Sequence, residues 1–242
     1  KKIFTNFVPR QSQLEMARAI SDAIDDESKL IVEAGTGIGK TFAYLIPAII
    51  WSLQNQEKVL ISTHTIPLQE QLLKKDIPFL KKHLNLNLEA SLVKGMNNYV
   101  CLRKLQEMQD EAPLFSSNLK DQVQAINSWA EETTEGSKST LDFTPSRELW
   151  EKVAVDMDAC NHHQCPFYKK CFFFKDRKKA QESQILIANH HIFFTDFFNN
   201  VLEDSDNSVF PPCDKVIFDE AHHLEDTAIS RLSFKVSAQE IY

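Results

Sequence analysis

The chain has 242 residues, of which 43% are hydrophobic, so it is long enough to bury the core of one large domain or of one domain with an insertion. No run reaches the roughly 18 apolar residues that span a bilayer and no basic-then-apolar signal opens the sequence, which argues against a membrane partner and predicts a cytoplasmic protein. A formal net charge of -7 excludes a uniformly basic nucleic-acid coat, although a local basic patch can still bind DNA.

The first predicted element is a helix over residues 11–25, because apolar residues recur there at three- and four-residue spacing. It follows an approach segment at residues 7–9. Arg10 and Gln13 lie at the start of this helix. A glutamine amide carries both a donor and an acceptor, so Gln13 can read the N6/N7 edge of adenine. The residues alone leave Gln13 either as an adenine contact or as a surface residue.

An apolar run, Lys29 to Val32, predicts a strand that leads into a turn holding three of the chain's 5 glycines. Such a turn lets successive backbone amides point at phosphate oxygens, and the helix that follows adds the positive end of its dipole. Lys40 would reach the β- and γ-phosphates, and the Thr41 hydroxyl would bind Mg²⁺. The predicted ATP-binding loop comprises Ala34, Gly35, Thr36, Gly37, Ile38, Gly39, Lys40 and Thr41.

The alternative is a glycine-rich turn that only joins strand to helix. One position departs from the usual phosphate loop, since Ala34 stands where its first glycine would be. With that alanine the loop resembles the one found in superfamily 2 helicases.

Helices and strands alternate after the loop. The pattern predicts a helix over residues 40–54 that is kinked at Pro47, a helix from about Pro67, and further strands over residues 59–62, 86–93, 184–188 and 215–218. Alternation of this kind predicts an α/β domain with a mainly parallel sheet.

Polar residues follow the strand over residues 59–62. Thr63, Thr65 and Gln69 are candidates for contacts with a nucleic-acid backbone, and helix capping is the alternative for Thr65.

The strand over residues 215–218 delivers two adjacent carboxylates, Asp219 and Glu220. A carboxylate beside a phosphate loop supplies a Mg²⁺ contact, and its neighbour can orient or deprotonate the water that attacks the γ-phosphate. Together with Lys40 and Thr41 this pair predicts a nucleoside triphosphatase. The chain carries no Asn-Lys-x-Asp guanine signature, which favours ATP over GTP.

Residues 102–159 show weaker periodicity and an acidic, polar run at 131–140, which predicts a partly helical insertion with a mobile loop. Five cysteines without a secretory signal favour metal ligation over disulfides. Four of them, Cys101, Cys160, Cys165 and Cys171, form a candidate thiolate set. An iron-sulfur cluster and Zn²⁺ both suit thiolates, and scattered core cysteines are the third possibility. We expect Cys213 to serve packing.

A basic segment follows the last cysteine of this set. Six cations fall within residues 169–179, interleaved with Phe172, Phe173 and Phe174. Cations suit phosphates and aromatic faces suit bases, so the segment predicts a single-stranded DNA contact. Core phenylalanines beneath a solvated basic helix are the alternative.

Taken together, these motifs resemble the DinG/XPD family of iron-sulfur superfamily 2 DNA helicases, and the segment over residues 177–191 is especially similar to the bacterial YoaA-type branch. The resemblance implies a RecA-like motor domain over residues 1–94 and 176–242, interrupted by a [4Fe-4S] insert over residues 95–175. The implied cluster ligands are Cys101, Cys160, Cys165 and Cys171. His222 would link the ATP site to the DNA-handling motifs, and Gln13 would be the adenine-reading residue of a Q motif.

The implied activity is ATP-dependent 5′-to-3′ translocation on single-stranded DNA during bacterial DNA repair, with repair or replication proteins as possible partners. We find no arginine finger or second RecA-like domain after His223, so we expect the amino-terminal half of a motor that is inactive alone. The competing hypothesis is a non-motor ATP-binding module with a zinc or cluster site that serves as a partner-binding platform.

Overall fold

The computed structural model describes residues 10–111, 117–202 and 208–233, so the approach segment at residues 7–9 lies outside the described residues. The chain divides into two compact units. We call the first, Lys1–Val93 with Ala180–Tyr242, the sheet unit, and the second, Lys94–Lys179, the inserted unit.

The sheet unit carries four strands and the helices that connect them. In chain order these are α1 (Gln11–Asp25), α2 (Lys40–Asn55), β1 (Val59–Thr63), α3 (Ile66–Gln71), a π-helical turn (Leu72–Asp76), α4 (Ile77–Leu84), β2 (Ala90–Leu92), β3 (Ile185–Asn189), α9 (His190–Leu202), β4 (Lys215–Phe218) and α10 (Leu224–Leu232). Of the helices in the described ranges, none combines the length and the apolar character that a bilayer crossing requires.

The four strands form one parallel sheet in the order β2-β3-β1-β4. All five residues of β1 are buried, as expected for a central strand covered on both faces. The predicted α/β class with a parallel sheet is confirmed, and the predicted strands at 59–62, 184–188 and 215–218 lie within one residue of the observed ones. The strand predicted over 86–93 is shorter, because only Ala90–Leu92 pairs with β3.

The strand predicted at Lys29–Val32 is wrong. This segment follows α1 without strand pairing, and Leu30, Ile31 and Val32 are exposed, Ile31 to 98%. An apolar run of this length favours a strand only where a neighbouring strand accepts its backbone hydrogen bonds, and no such partner lies beside it in the described part of the chain.

The core of the sheet unit lies between the sheet and its helices. Helix α2 continues through Pro47 and buries Leu45 and Ile49 completely against Ile61 and Ile187. Burying one such side chain stabilises the fold by roughly 1.5–3 kcal/mol relative to leaving it in water. This packing fixes α2, and with it the loop that precedes Lys40, against the sheet.

The inserted unit is mostly helical. Its helices are α5 (Leu102–Glu111), α6 (Ser117–Glu132), α7 (Arg147–Val153) and α8 (Phe172–Glu182), and short 3₁₀ turns occur at Met96–Asn98, Lys138–Thr140, His162–Gln164 and Tyr168–Lys170. The last three residues of α8 already belong to the sheet unit. The Ser146 hydroxyl caps α7 by accepting a hydrogen bond from the Leu149 N–H at 3.3 Å.

This unit has an apolar core of its own, which includes Leu105, Ile126 and Leu149, all at most 1% exposed. The acidic run at 131–140 packs onto that core. Its Ser137 is 1% exposed, and the Gly136 carbonyl accepts a hydrogen bond from the Val100 N–H at 3.0 Å. The expectation of a mobile loop is therefore wrong at these two residues, because their backbone is hydrogen-bonded in the interior.

Gly136→Ala is expected to destabilise the inserted unit. Gly136 has φ +60°, and a Cβ there would stand 2.1 Å from Cγ of the Phe172 ring. The left-handed conformation and the collision together should cost about 2–4 kcal/mol. Urea unfolding followed by amide exchange measures the loss. Gly95→Ala is the control, because its φ of −61° is ordinary and the nearest atoms to the new Cβ are the ends of the Asn97 and Asn98 side chains, at 3.2 and 3.5 Å. Equal effects of both changes would contradict the steric argument.

Candidate nucleotide site and cysteine cavity

The glycine-rich loop ends directly at the first residue of α2. Gly37 has φ +78° and Gly39 has φ +89°, a conformation that L side chains rarely adopt. Gly39 is the N-cap of α2, and Lys40 and Thr41 form its first turn. Unpaired amides at a helix N-terminus face outward and favour anions.

Two residues at the start of α1 hydrogen-bond to the backbone of this loop. The Arg10 guanidinium donates to the Gly37 carbonyl, and the Gln13 amide donates to the Gly39 carbonyl at 2.9 Å. Gln13 therefore contacts the loop backbone in this structure. Adenine recognition by Gln13 stays a prediction.

The two carboxylates at the end of β4 lie beside α2. The Asp219 N–H donates to the Ser62 carbonyl at 2.8 Å, which continues the β1-β4 pairing past the last paired residue. The Tyr44 hydroxyl donates to Asp219 Oδ2 at 3.0 Å, and the Glu220 N–H donates to Oδ1 at 3.1 Å. Burial raises the pKa of Asp219, the Tyr44 hydrogen bond opposes that rise, and the neighbouring Glu220 charge adds to it.

Glu220 faces the lysine of the loop. Its Oε1 lies 3.7 Å from Lys40 Nζ, and its Oε2 lies 3.5 Å from His222 Nδ1. Glu220 also has φ +58°, a conformation that is uncommon outside glycine and clusters at functional sites. The fold therefore brings together two pairs of predicted residues that are about 180 positions apart in sequence, Lys40 with Thr41 and Asp219 with Glu220.

Histidines connect the ends of the strands. Nδ1 of the buried His190 lies 2.7 Å from the Ser62 hydroxyl. Burial, and to a smaller extent the nearby His64, lower the pKa of His190 to about 4. The His64 ring stacks on His223 at 3.7 Å between centroids. Thus His223 contacts the segment after β1, whereas His222 is mostly exposed and lies near Glu220.

Two of the three polar residues proposed to contact a nucleic-acid backbone are buried. Thr63 is 0% exposed and Gln69 is 3% exposed, so a backbone phosphate cannot reach them in this structure, and that prediction is wrong for both. Thr65 is exposed and precedes α3 without capping it through its side chain.

The four predicted ligands of the inserted unit, Cys101, Cys160, Cys165 and Cys171, line one cavity. All four are free thiols and partly buried. Burial raises the pKa of Cys171, main-chain hydrogen bonds from Phe173 and Phe174 oppose that rise, and the charges of Cys101 and Cys160 add to it. Over the described ranges, no three His, Cys, Asp or Glu side chains converge closely enough to hold one metal ion. Cys213 lies in the sheet unit and packs against an apolar cluster that includes Leu60, Leu186 and Phe210. Burial raises the pKa of its thiol to about 12.

Two of the three phenylalanines of the basic segment are buried, and Phe174 is half-buried. Phe172 and Phe173 are 7% and 6% exposed and belong to the core of the inserted unit, so the prediction that DNA bases stack on these two rings is wrong. Arg177 lies over the Phe173 ring at 4.8 Å. Lys169, Lys170 and Lys175 are exposed.

The sequence signals for two contacts were weak. Tyr44 lies three residues after Thr41 and therefore shares its helical face, but its acidic partner is 175 positions away. His190 follows β3, and nothing in the local pattern predicts its pairing with Ser62.

Comparison with known proteins gives two family matches. The DEAD_2 family model matches residues 81–241, and the DEAD/DEAH box helicase model matches residues 13–118. The chain is 36% identical over 241 residues to the ATP-dependent DNA helicase YoaA of Escherichia coli, covering 99% of this chain and 37% of that protein. It is 36% identical to YoaA of Haemophilus influenzae over 98% of this chain and 36% of that protein. It is 34% identical to the ATP-dependent helicase DinG of Mycobacterium tuberculosis over 91% of this chain and 35% of that protein. The chain thus spans little more than a third of the length of these relatives.

Proposed function

Since this chain belongs to the DEAD_2 family, we propose that it is the ATP-binding part of an ATP-dependent DNA helicase. The observation that carries the proposal is the convergence of Lys40, Thr41, Asp219 and Glu220 at one end of the parallel sheet. Relatives named as ATP-dependent DNA helicases support it.

Each residue has a proposed task in hydrolysis. The loop amides and Lys40 bind the phosphates, so Lys40 exchanges its ion pair with Glu220 for the nucleotide. Glu220, once released, orients and deprotonates the attacking water. Arg10 and Gln13 hold the loop in shape, and Gln13 is also proposed to read adenine.

Magnesium fits the group at α2 and β4. The Thr41 hydroxyl and the Asp219 carboxylate are oxygen ligands of the kind that Mg²⁺ prefers, and both Asp219 oxygens are already oriented by hydrogen bonds. When bound with ATP, Mg²⁺ neutralises charge on the phosphates.

The cysteine cavity fits a [4Fe-4S] cluster better than zinc. A single tetrahedral Zn²⁺ with bonds of about 2.3 Å would require four sulfurs within roughly 3.8 Å of one another. A four-iron cluster takes one thiolate per iron around a larger body, which suits four cysteines that line a shared cavity. We propose Cys101, Cys160, Cys165 and Cys171 as its ligands, within an insert at residues 95–175.

The direct test uses the full-length protein. ATP hydrolysis should require Mg²⁺ and rise when single-stranded DNA is added, and duplexes with a 5′ overhang should be unwound in preference to those with a 3′ overhang. Such an activity would serve DNA repair, and its location would be the cytoplasm, where bacterial chromosomal DNA lies. ATP binding without DNA-stimulated hydrolysis would instead support the partner-binding platform.

The exposed lysines of the basic segment give a separate expectation. Removing two charges, Lys169→Ala with Lys170→Ala, should weaken binding of single-stranded DNA and lower the slope of log K against log salt by about 1.4, because each phosphate contact contributes about 0.7. Fluorescence anisotropy at several salt concentrations measures both quantities. Lys82→Ala with Lys152→Ala removes two exposed charges elsewhere and serves as the control. An unchanged slope in the first variant would exclude these lysines from the DNA contact.

A further inference from the structure

Tyr44 is a buried hydroxyl placed between two residues of the nucleotide site. Its side chain is 3% exposed, and its ring packs in the core of the sheet unit. The hydroxyl donates to Asp219 Oδ2 at 3.0 Å, and the Thr41 side chain lies near the Tyr44 hydroxyl. Tyr44 thus hydrogen-bonds one of the residues proposed to bind Mg²⁺ and lies near the other.

The second oxygen of Asp219 is held as well. The Glu220 N–H donates to Oδ1 at 3.1 Å. Hydrogen bonds to both oxygens restrict rotation of the Asp219 carboxylate about its Cβ–Cγ bond, so its remaining lone pairs favour one direction. That direction is set by the rigid body of α2, because Tyr44 sits on the same helical face as Lys40 and Thr41.

We propose that Tyr44 is a positioning residue that orients Asp219 toward Mg²⁺ and so couples metal binding to the helix that carries the phosphate loop. This inference rests on the proposed ATPase function. Hydrogen bonds to metal-binding carboxylates orient the ligand, and losing one commonly weakens the site about tenfold or more. Tyr44 is 3% exposed and so offers a nucleotide almost no surface, and its effect should appear only where Mg²⁺ contributes to binding.

The test measures equilibrium binding of a fluorescent, non-hydrolysable ATP analogue to the full-length protein, once in excess Mg²⁺ and once in EDTA. Tyr44→Phe keeps the ring in its packed position and removes only the hydroxyl. We expect the Mg²⁺-dependent gain in affinity to fall about tenfold, with binding in EDTA unchanged. Raising the Mg²⁺ concentration should restore ATP hydrolysis toward the unaltered rate.

The chain offers a matched control in the inserted unit. Tyr99 is 2% exposed and its hydroxyl donates to the partly buried Asp176, so Tyr99→Phe also removes one hydrogen bond between a buried tyrosine and an aspartate. This variant should leave the Mg²⁺ dependence of ATP binding unchanged. Thermal unfolding of both variants shows whether the loss of stability is similar.

A double-variant comparison decides whether Tyr44 acts through Asp219. Tyr44→Phe should have less than a twofold effect when Asp219→Asn is already present, since the positioned carboxylate is then gone. An undiminished effect in that background, or a normal Mg²⁺ dependence in Tyr44→Phe alone, would overturn the inference. Absence of Mg²⁺-dependent ATP binding by the unaltered protein would overturn the proposed function and this inference with it.

Discussion

Replacing Lys40 with alanine in the full-length protein is expected to lower kcat/KM for ATP by roughly 10²- to 10³-fold and to weaken ATP binding. Lys40 is the cation at the start of α2, and its amine lies 3.7 Å from Glu220 Oε1. Without it the phosphates lose their charged partner in both the ground state and the transition state. Binding and turnover should therefore fall together.

Glu220→Gln should separate these two effects. The glutamine cannot accept the proton of the attacking water, so kcat should fall roughly 10²- to 10⁴-fold. ATP binding should change by less than about fivefold. The Glu220 carboxylate competes with the phosphates for Lys40, but a third of each side chain in this ion pair is exposed to solvent, so the pair is worth only about 1 kcal/mol. Removing that competitor favours slightly tighter binding.

Steady-state hydrolysis together with equilibrium binding of the ATP analogue measures both parameters for each variant. A matched ion pair in the same unit, Lys81 with Glu89 at 3.2 Å, supplies the controls Lys81→Ala and Glu89→Gln. Both should behave as the unaltered protein does. Equal loss of ATP binding in Lys40→Ala and Glu220→Gln would show that the two residues do not have separate roles.

Serine at any one of the four cavity cysteines is expected to abolish cluster binding. Protein purified without oxygen should be brown and contain about four irons per chain, and Cys101→Ser, Cys160→Ser, Cys165→Ser and Cys171→Ser should each lose the colour. Cys213→Ser is the matched control, because Cys213 lies in the sheet unit and its thiol donates to the Pro211 carbonyl at 3.2 Å. It should stay brown.

The structure also predicts where the protein loosens when the cluster is lost. Two of the cysteines border the short 3₁₀ turns of residues 162–170, whose described main-chain bonds are local ones such as Tyr168 N–H to the Cys165 carbonyl. Metal binding supplies folding free energy to such a segment. The rest of the inserted unit packs around Leu105, Ile126 and Trp150, in an apolar core that Cys101 and Cys171 border, so it should stay folded.

Amide exchange followed by mass spectrometry tests this distribution. Exchange should rise in residues 159–171 and remain unchanged in the sheet unit. Colourless protein with one zinc per chain would support a tetrahedral zinc site in place of the cluster. Unfolding of the entire inserted unit on metal loss would contradict the claim that its apolar core is sufficient.

The sequence by itself determined the local features of this protein. Helix periodicity placed α1 at the residues observed, and three strand predictions lie within one residue of β1, β3 and β4. The glycine-rich turn before Lys40 and the carboxylates after β4 were recognisable because their chemistry depends on neighbours in sequence. The family resemblance is confirmed by the DEAD_2 match.

The tertiary structure decided everything that depends on partners distant in sequence. Lys29–Val32 was an apolar run that could form a strand, but strands require hydrogen-bonded neighbours and it has none in the described ranges. Phe172 and Phe173 had two possible roles until the packing of the inserted unit covered them. Burial is set by which face another element covers, and a single segment does not contain that information.

The same reason explains the nucleotide site. The residue types at Lys40 and Asp219 follow from sequence, but their mutual geometry comes from the pairing of β4 with β1 and from the packing of α2 on the sheet. The hydroxyl of Tyr44 reaches Asp219 only because 175 positions of chain fold back between them. Sequence thus determined which groups are available for chemistry, and the long-range packing determined which of them meet.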